Sequence, residues 1–305
     1  MDIITSSLAQ GLLWAIMAIG VYLTFRILDI ADMTAEGSFP LGAAITASAL
    51  VNGMSPVIAT LLGALGGALA GLVSGLLHTK LKIPALLTGI LTLTGLYSIN
   101  LFVMGGKANI ALLNTVKTVF TQLPIQDSTL ATIVVGAVAL LIVIVLLVLF
   151  FNTQMGLAAR AVGNNSQMSA ANGVNNANMK IIVYMLSNGL VALSGSLMAQ
   201  TNGYADGSMG IGTIVIALAA IIIAEILLRH LTFGQRLLTI IGGAIIYRLI
   251  IAGVLWLGVD PNALRLFYAL MLTLFLAMPR IENAIQQARL RRQNRKQLME
   301  DKPNE

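Results

Sequence analysis

The residues able to do chemistry in this sequence are few and scattered. There is no cysteine, which removes disulfides, thiolate nucleophiles, iron–sulfur clusters and cysteine zinc sites. The two histidines, His78 and His230, are too few for a histidine metal cage, and no metal site is expected. Neither a G-x-S-x-G elbow nor a G-x-x-x-x-G-K-[ST] phosphate loop occurs, so neither a serine hydrolase nor a self-contained ATPase is supported. Polar residues inside apolar stretches remain. Arg248 lies about 16 Å into one such stretch at 1.5 Å per residue, a depth where a lone guanidinium needs a partner or a watery cavity. Glu36, Asp206 or a bare helix carbonyl end are its candidate partners. Glu225 stands four residues before Arg229, the favourable order for a helix ion pair. Asn100, Ser187 and Asn188 are expected to hydrogen-bond between helices, with the lining of a pathway as the alternative. A proton relay would need several aligned buried acids or histidines, which this reading does not find.

Two short segments share a pattern. Residues 35–42 read AEGSFPLG and residues 205–212 read ADGSMGIG: Ala, an acid, Gly, Ser, and Gly four residues after the Ser. Each precedes an apolar run. Five spans separate them in the topology below, and an odd number makes an inverted repeat, the arrangement in which transporters bring broken helices to a substrate path. Glu36, Ser38, Phe39, Asp206, Ser208 and Met209, with Asn100, Asn188 and Arg248, are therefore the candidate pathway residues. Chance recurrence of small polar residues at loop-to-helix junctions is the competing explanation.

The elements that must carry these residues follow from composition. Hydrophobic residues make up 57% of the 305 and charged residues only 10%, with a mean hydropathy of +0.89. A water-soluble globule cannot hide that much apolar surface. Apolar runs near the roughly 20 residues needed to cross a bilayer fall at 8–25, 39–51, 56–77, 84–104, 128–151, 180–201, 211–228, 237–257 and 263–279. The expectation is an all-α polytopic membrane protein of about nine spans, with broken helices and an inverted internal repeat. Residues 1–280 form one transmembrane domain and 281–305 a basic tail.

Nine spans put the termini on opposite sides, and the distribution of Lys and Arg chooses between them. Placing the tail inside, with Arg280, Arg289, Arg291, Arg292, Arg295, Lys296 and Lys302, also puts Arg26, Lys80, Lys82, Arg160, Lys180, Arg229 and Arg236 inside. Only Lys107, Lys117 and Arg265 fall outside. The N-terminus is then outside. Its first 25 residues hold no Lys or Arg, so they read as an uncleaved span rather than a signal peptide. In this topology Ser196 and His230, the obvious nucleophile and base, lie on opposite sides and do not meet. The net charge of +6 belongs to the tail and inner loops, which suits anionic lipid headgroups better than nucleic acid.

Gly63, Gly67, Gly71 and Gly75 recur every four residues and should give one helix a flat packing face. The segment 152–179, NTQMGLAARAVGNNSQMSAANGVNNANM, is longer than a connector needs and has helical content, so it can dock a partner. With the helix after it, MGLAARAVGNNSQMSAANGVNNANMKIIVYMLSNGLVALSGSLMA resembles the cytoplasmic loop and following helix of bacterial ABC importer permeases for branched-chain amino acids and ribose-type sugars. GLLWAIMAIGVYLTFRILDIADMTAEGSFPLGAA is similar to their first span and broken helix. DMTAEGSFPLGAA, LLHTKLKIPALLTGIL and LYSINLFVMGGKANIALL resemble the branch paired with tryptophan- or tyrosine-type binding proteins.

The resemblance implies a permease with no chemistry and no cofactor of its own. ATP and Mg would sit on a separate cytoplasmic ATPase, a solute-binding protein would dock outside on 105–127 with Lys107, Lys117 and Asp127, and a second, identical permease would complete the pore. Gly156, Arg160, Ala161, Gly163, Asn165, Ala170 and Gly173 would form the coupling element, with Arg160 reaching an acid on the ATPase. Phe39, Met104 and Met209 would line an apolar path for an aromatic amino acid, and the chain would reside in the bacterial plasma membrane. A stand-alone ion-coupled transporter, and a permease for a sugar or nucleoside, are the alternatives.

Overall fold

The computed structural model describes residues 2–112, 116–122, 124–125, 127–228 and 231–258, and beyond these 266–267, 269–274, 277 and 287. In chain order the elements are α1 (Asp2–Tyr22), a π-helical turn (Leu23–Ile27), α2 (Ala35–Val51), α3 (Pro56–Thr79), α4 (Ala85–Val103), β1 (Asn109–Ala111), α5 (Ser128–Phe151), α6 (Gln154–Asn164), α7 (Ser166–Ala171), α8 (Asn176–Asn202), β2 (Tyr204–Asp206), α9 (Thr213–Leu227) and α10 (Phe233–Trp256). The two short strands pair antiparallel, Asn109 opposite Asp206.

Local chemistry sets many of the helix ends. Pro56 opens α3, where its missing N–H has no helical partner to lose. Asp127 caps α5 by accepting from the Thr129 N–H at 2.9 Å, and Thr232 and Gln235 form a capping box at the start of α10. Eight of the nine expected spans coincide with described helices. Among the described residues, six helices are long and apolar enough to cross a bilayer: Ile4–Ile27, Pro56–Thr79, Ala85–Val103, Ser128–Phe151, Asn176–Asn202 and Phe233–Trp256. The helices at the second and seventh expected spans are shorter, 17 residues in α2 and 15 in α9. Of the ninth, 263–279, residues 266–267, 269–274 and 277 are described and helical; the rest of it lies outside the described residues, as do Arg229, His230 and the basic tail apart from Gln287.

The core is built where α1, α2 and α8 meet. Leu13 and Ala15 to Ile19 of α1 are sealed from solvent, as are Phe39, Ala43 and Ala47 of α2 and Val183, Tyr184, Val191 and Ala192 of α8. The glycine stripe of α3 packs on α8 as its spacing demanded. A Cβ on Gly67 would overlap Ala192, one on Gly71 the Tyr184 carbonyl, one on Gly63 the Ser196 hydroxyl, and one on Gly75 would lie 3.0 Å from the Ile181 Cα. At the opposite extreme, α4 and α5 turn Leu86, Leu91, Leu141, Leu146 and Leu149 outward, a surface that suits hydrocarbon rather than water. An apolar groove of about 850 Å³ runs between α3, α5 and α8, with Thr60 and Gln122 at the end away from α6.

The two similar segments take different structures but touch. AEGSFPLG lies inside α2, whereas ADGSMGIG runs from β2 through turns that end at Gly212, with φ of 83°. Pro40 has no N–H for the Glu36 carbonyl one turn earlier. Gly210 fills the space beside that carbonyl, which a Cβ there would overlap. The Gly212 N–H also donates to the Glu36 carboxylate at 3.0 Å.

Candidate functional site

Helix α6 is the element whose two sides differ most. Thr153 caps it, accepting from the Gly156 N–H at 3.3 Å. Gly156, Arg160 and Gly163 then fall at i, i+4 and i+7, one helix face, and that face looks into the protein. A Cβ on Gly156 would overlap the Phe151 Cα and the Phe150 carbonyl at the end of α5. A Cβ on Gly163 would overlap the Ile27 carbonyl at the π-helical turn. Between them the Arg160 guanidinium lies 4.4 Å from the ring centre of Phe233 and 5.2 Å from that of Phe151. Each such cation–π contact contributes roughly 0.5–2 kcal/mol. Arg160 was expected to reach outward to a partner; it holds α6 to α5 and α10 instead.

The other side of α6 and the following turn face solvent. Met155 is 47% exposed, Leu157 55% and Met168 66%. Ala161, Asn165, Ala170 and Gly173 are exposed with them. Gly173 (φ 80°) turns the chain after α7, and Asn165 caps α7 by accepting from the Met168 N–H at 3.0 Å. The sequence reading missed Met155, Leu157 and Met168. Their signal was apolar side chains placed off the G-x-x-x-R-x-x-G face, in a loop that otherwise is polar.

Beside α6 the chain leaves helical geometry. After the π-helical turn, residues 28–34 run without regular structure, and Asp29 adopts φ of +56°. Asp32, also missed, is buried here. It accepts from the Thr34 N–H at 3.0 Å and from Asn188 Nδ2 at 2.7 Å, and Asn188 Oδ1 accepts from Ser38 Oγ at 2.7 Å. Thr34, Ser74 and Thr92 join α2, α3 and α4 through hydroxyl contacts of 2.7–3.1 Å. A cavity of about 510 Å³, lined by Asp29, His78, Asn164, Gln167 and Lys180 among others, separates this segment from the α6–α7 turn.

The expected pathway residues divide. Ser38, Phe39, Asn100 and Asn188 are sealed inside the protein. Phe39 stacks on Trp14 at 5.5 Å, and Asn100 donates to the Gly37 carbonyl at 3.4 Å. These four line no open path, because each packs against a neighbouring helix: Ser38 and Asn188 on each other, Phe39 on α1 and Asn100 on α2. Asn188 and Ser187 bond between helices, Ser187 Oγ donating to the Gly20 carbonyl at 2.7 Å. Asp206 and Ser208 lie at and just after β2, and Glu36, in the first turn of α2, meets the turns that follow β2 at Gly210 and Gly212; these three and Met209 are half-buried or exposed. Partial burial pushes the Asp206 carboxyl up, but hydrogen bonds from Ser208 Oγ, Ser208 N–H and Asn109 outweigh it and hold it below its ordinary value. Arg248 is half-buried on α10. Glu225 is held across the bundle: Arg26 donates Nε to it at 2.7 Å and Nη2 to its other oxygen, tying the π-helical turn to α9, while its expected partner Arg229 lies outside the described residues.

Comparison with known proteins accords with this architecture. The family model described as the permease component of branched-chain amino acid transport systems matches residues 3–278. The tyrosine transport system permease protein of Clostridioides difficile (strain R20291) is 43% identical over 274 residues, 90% of this chain and 90% of that one. The uncharacterized protein RP368 of Rickettsia prowazekii (strain Madrid E) is 30% identical over 289 residues, 93% of this chain and all of its own. The ribose import permease protein RbsC of Bacillus subtilis (strain 168) is 28% identical over 241 residues, 77% and 68% of the two chains. No solved structure matches. With six long apolar helices and a match along nearly its whole length, this chain belongs to the permease-component family of branched-chain amino acid transport systems.

Proposed function

We propose that this chain is the membrane permease of an ATP-driven importer for an aromatic amino acid, and that its ATPase docks on the outer side of α6 and α7. One observation carries the docking site. Met155, Leu157 and Met168 project from a helix pair whose inner side is clamped by Gly156, Arg160 and Gly163. Apolar side chains held out together on a rigid support suit a protein partner. ATP and Mg would be bound by that partner, since this sequence has no phosphate loop.

In this reading the α6 end is cytoplasmic and the β1–β2 end faces outward, where Lys107, Lys117 and the strand pair meet a solute-binding protein. The spans number about nine, with an outer N-terminus, a cytoplasmic tail and an inverted repeat whose two segments meet at Glu36 and Gly210. Solute would enter near Glu36, Asp206, Ser208 and Met209. Because Ser38, Phe39 and Asn188 are packed shut, the path is assigned to the surface shared with a second, identical permease. The name of the Clostridioides difficile relative supports tyrosine as the first substrate to try.

Reconstitution with the ATPase and binding protein of the same organism tests the reading. ATP-dependent tyrosine uptake that vanishes without either partner is the expected result. Uptake of ribose or a nucleoside instead would overturn the substrate, and ion-driven uptake by this chain alone would overturn the importer.

A further inference from the structure

We propose that residues 23–34 form the elbow through which movement of α6 reaches the buried helices, with Gly163 as the point of contact and the Asp32–Asn188 hydrogen bond as the lock at its far end. The proposal rests on the reading of α6 as the ATPase-docking element. Regular helix gives way here in three steps. The π-helical turn carries Leu23–Ile27, the Ile30 N–H reaches back to the Thr24 carbonyl at 2.9 Å, and Asp29 sits at φ +56°. A short stretch of non-helical backbone between two helices is where φ and ψ changes are absorbed in a moving protein.

The elbow is gripped at both ends. At one end Gly163 meets backbone: a Cβ there would overlap the Ile27 carbonyl and stand 3.2 Å from the Leu28 Cα. Backbone cannot swing aside as a side chain can, so a shift of α6 must displace either the contact or the elbow. At the other end Asp32 is bonded to Asn188 in α8, and through it to Ser38 in α2. Thr34 then reaches Ser74 in α3 and Thr92 in α4. The cavity between Asp29 and the α6–α7 turn leaves room for the two to approach or part. Two of the other supports of α6 lead elsewhere. Phe150 and Phe151 end α5, and Phe233 begins α10; both are regular helices with largely exposed apolar faces. Helix α8, against which α6 also packs, carries Asn188 itself, and the elbow reaches the same buried polar network from the Asp32 side.

The hydrogen-bond pattern supplies a test that conserves composition. Asn188→Asp sets a second carboxylate against Asp32 where an amide N–H now donates. The double variant Asp32→Asn with Asn188→Asp reverses the pair and restores the bonds that join the elbow to α8 and α2: Asn to Asp across the contact, the Thr34 N–H to the new amide oxygen, Ser38 Oγ to the new carboxylate; only the Asn188 Nδ2 donation to the Tyr184 carbonyl within α8 is lost. In the reconstituted complex of permease, ATPase and binding protein, Asn188→Asp should leave ATPase capture and basal ATP hydrolysis within twofold of wild type, and Gly163→Ala, which alters the seat of α6, is read on stimulation relative to its own basal rate. Stimulation by loaded binding protein, and uptake, should fall at least tenfold, and the reversed pair should recover most of the Asn188→Asp loss. Stimulation within twofold of wild type in both single variants, capture lost in parallel with stimulation in Asn188→Asp, or no recovery in the reversed pair would each overturn the elbow.

Hydrogen exchange of the purified permease separates this from failure of the importer reading, because it needs no partner. Gly163→Ala should speed exchange at least tenfold in 28–34 and at the start of α2 while β1 and the outer half of α4 keep wild-type rates. A change confined to 152–179 would overturn the elbow whether or not an ATPase is captured.

Discussion

On α6, Gly156, Arg160 and Gly163 look into the protein while Met155, Leu157 and Ala161 look out, and the two sides use opposite chemistry. The inner side has two residues without side chains and one cation between aromatic rings. The outer side keeps its apolar side chains and leaves about half or more of each exposed. Close backbone approach and stacking fix where α6 lies; exposed apolar surface leaves it incomplete. A helix that is both rigidly seated and incomplete suits the passing of a push from one protein to another. The same contrast explains the G-x-x-x-R-x-x-G spacing, which describes how the helix is seated and not what docks on it.

Four variants break or sharpen this contrast. Gly156→Val forces two branched methyls against the Phe150–Phe151 backbone and should cost about 3 kcal/mol or more, read as a lower melting temperature with loss of uptake. Arg160→Ala removes both ring contacts, a loss of roughly 1–3 kcal/mol in stability, and Arg160→Lys should recover part of it. Leu157→Asp, on the outer side, should weaken ATPase capture about tenfold, roughly 1.4 kcal/mol, with an unchanged melting temperature. If Leu157→Asp instead destabilises the permease alone, or Arg160→Ala weakens capture without destabilising it, the two sides have been assigned the wrong way round.

Asp206, at the far end of the molecule, serves as the control with the smallest effect. Its carboxyl titrates below the unfolded value, so its stabilisation is complete above the ordinary carboxylate range and fades as pH falls through the folded value. Asp206→Asn should remove that acid sensitivity, measured as melting temperature against pH, and leave ATPase capture untouched.

Much of the fold was legible because single residues govern helix ends and stripes. Pro56 and Asp127 mark the starts of α3 and α5, and glycines four apart required the α3–α8 contact. Lateral contacts were harder to read. Spacing shows that Ser38 and Asn188 each stand in an apolar run with few polar neighbours, but not whether they face a channel or another helix, and here they face each other across α2 and α8. Asp32 escaped notice because it falls between two apolar runs, where an acid reads as an exposed loop residue, although the chain folds that loop into the core. Glu225 was matched to its helical neighbour because only sequence distance was visible; the contact with Arg26, 199 residues away, could not be read from spacing. Arg160 lay in the right motif with the wrong direction, since a repeat of four and three residues gives a face without saying which way it turns.

Site-specific cross-linking tests the two-sided helix most directly, and a chain without cysteine makes it clean. Single cysteines placed at Leu157, at Met168 and at the buried Ala159 would be reacted with a short bifunctional thiol–amine reagent in the assembled complex. The account predicts adducts with the ATPase from Leu157→Cys and Met168→Cys and none from Ala159→Cys. Adducts from Ala159→Cys alone, or from none of the three in a complex that hydrolyses ATP and takes up solute, would contradict it.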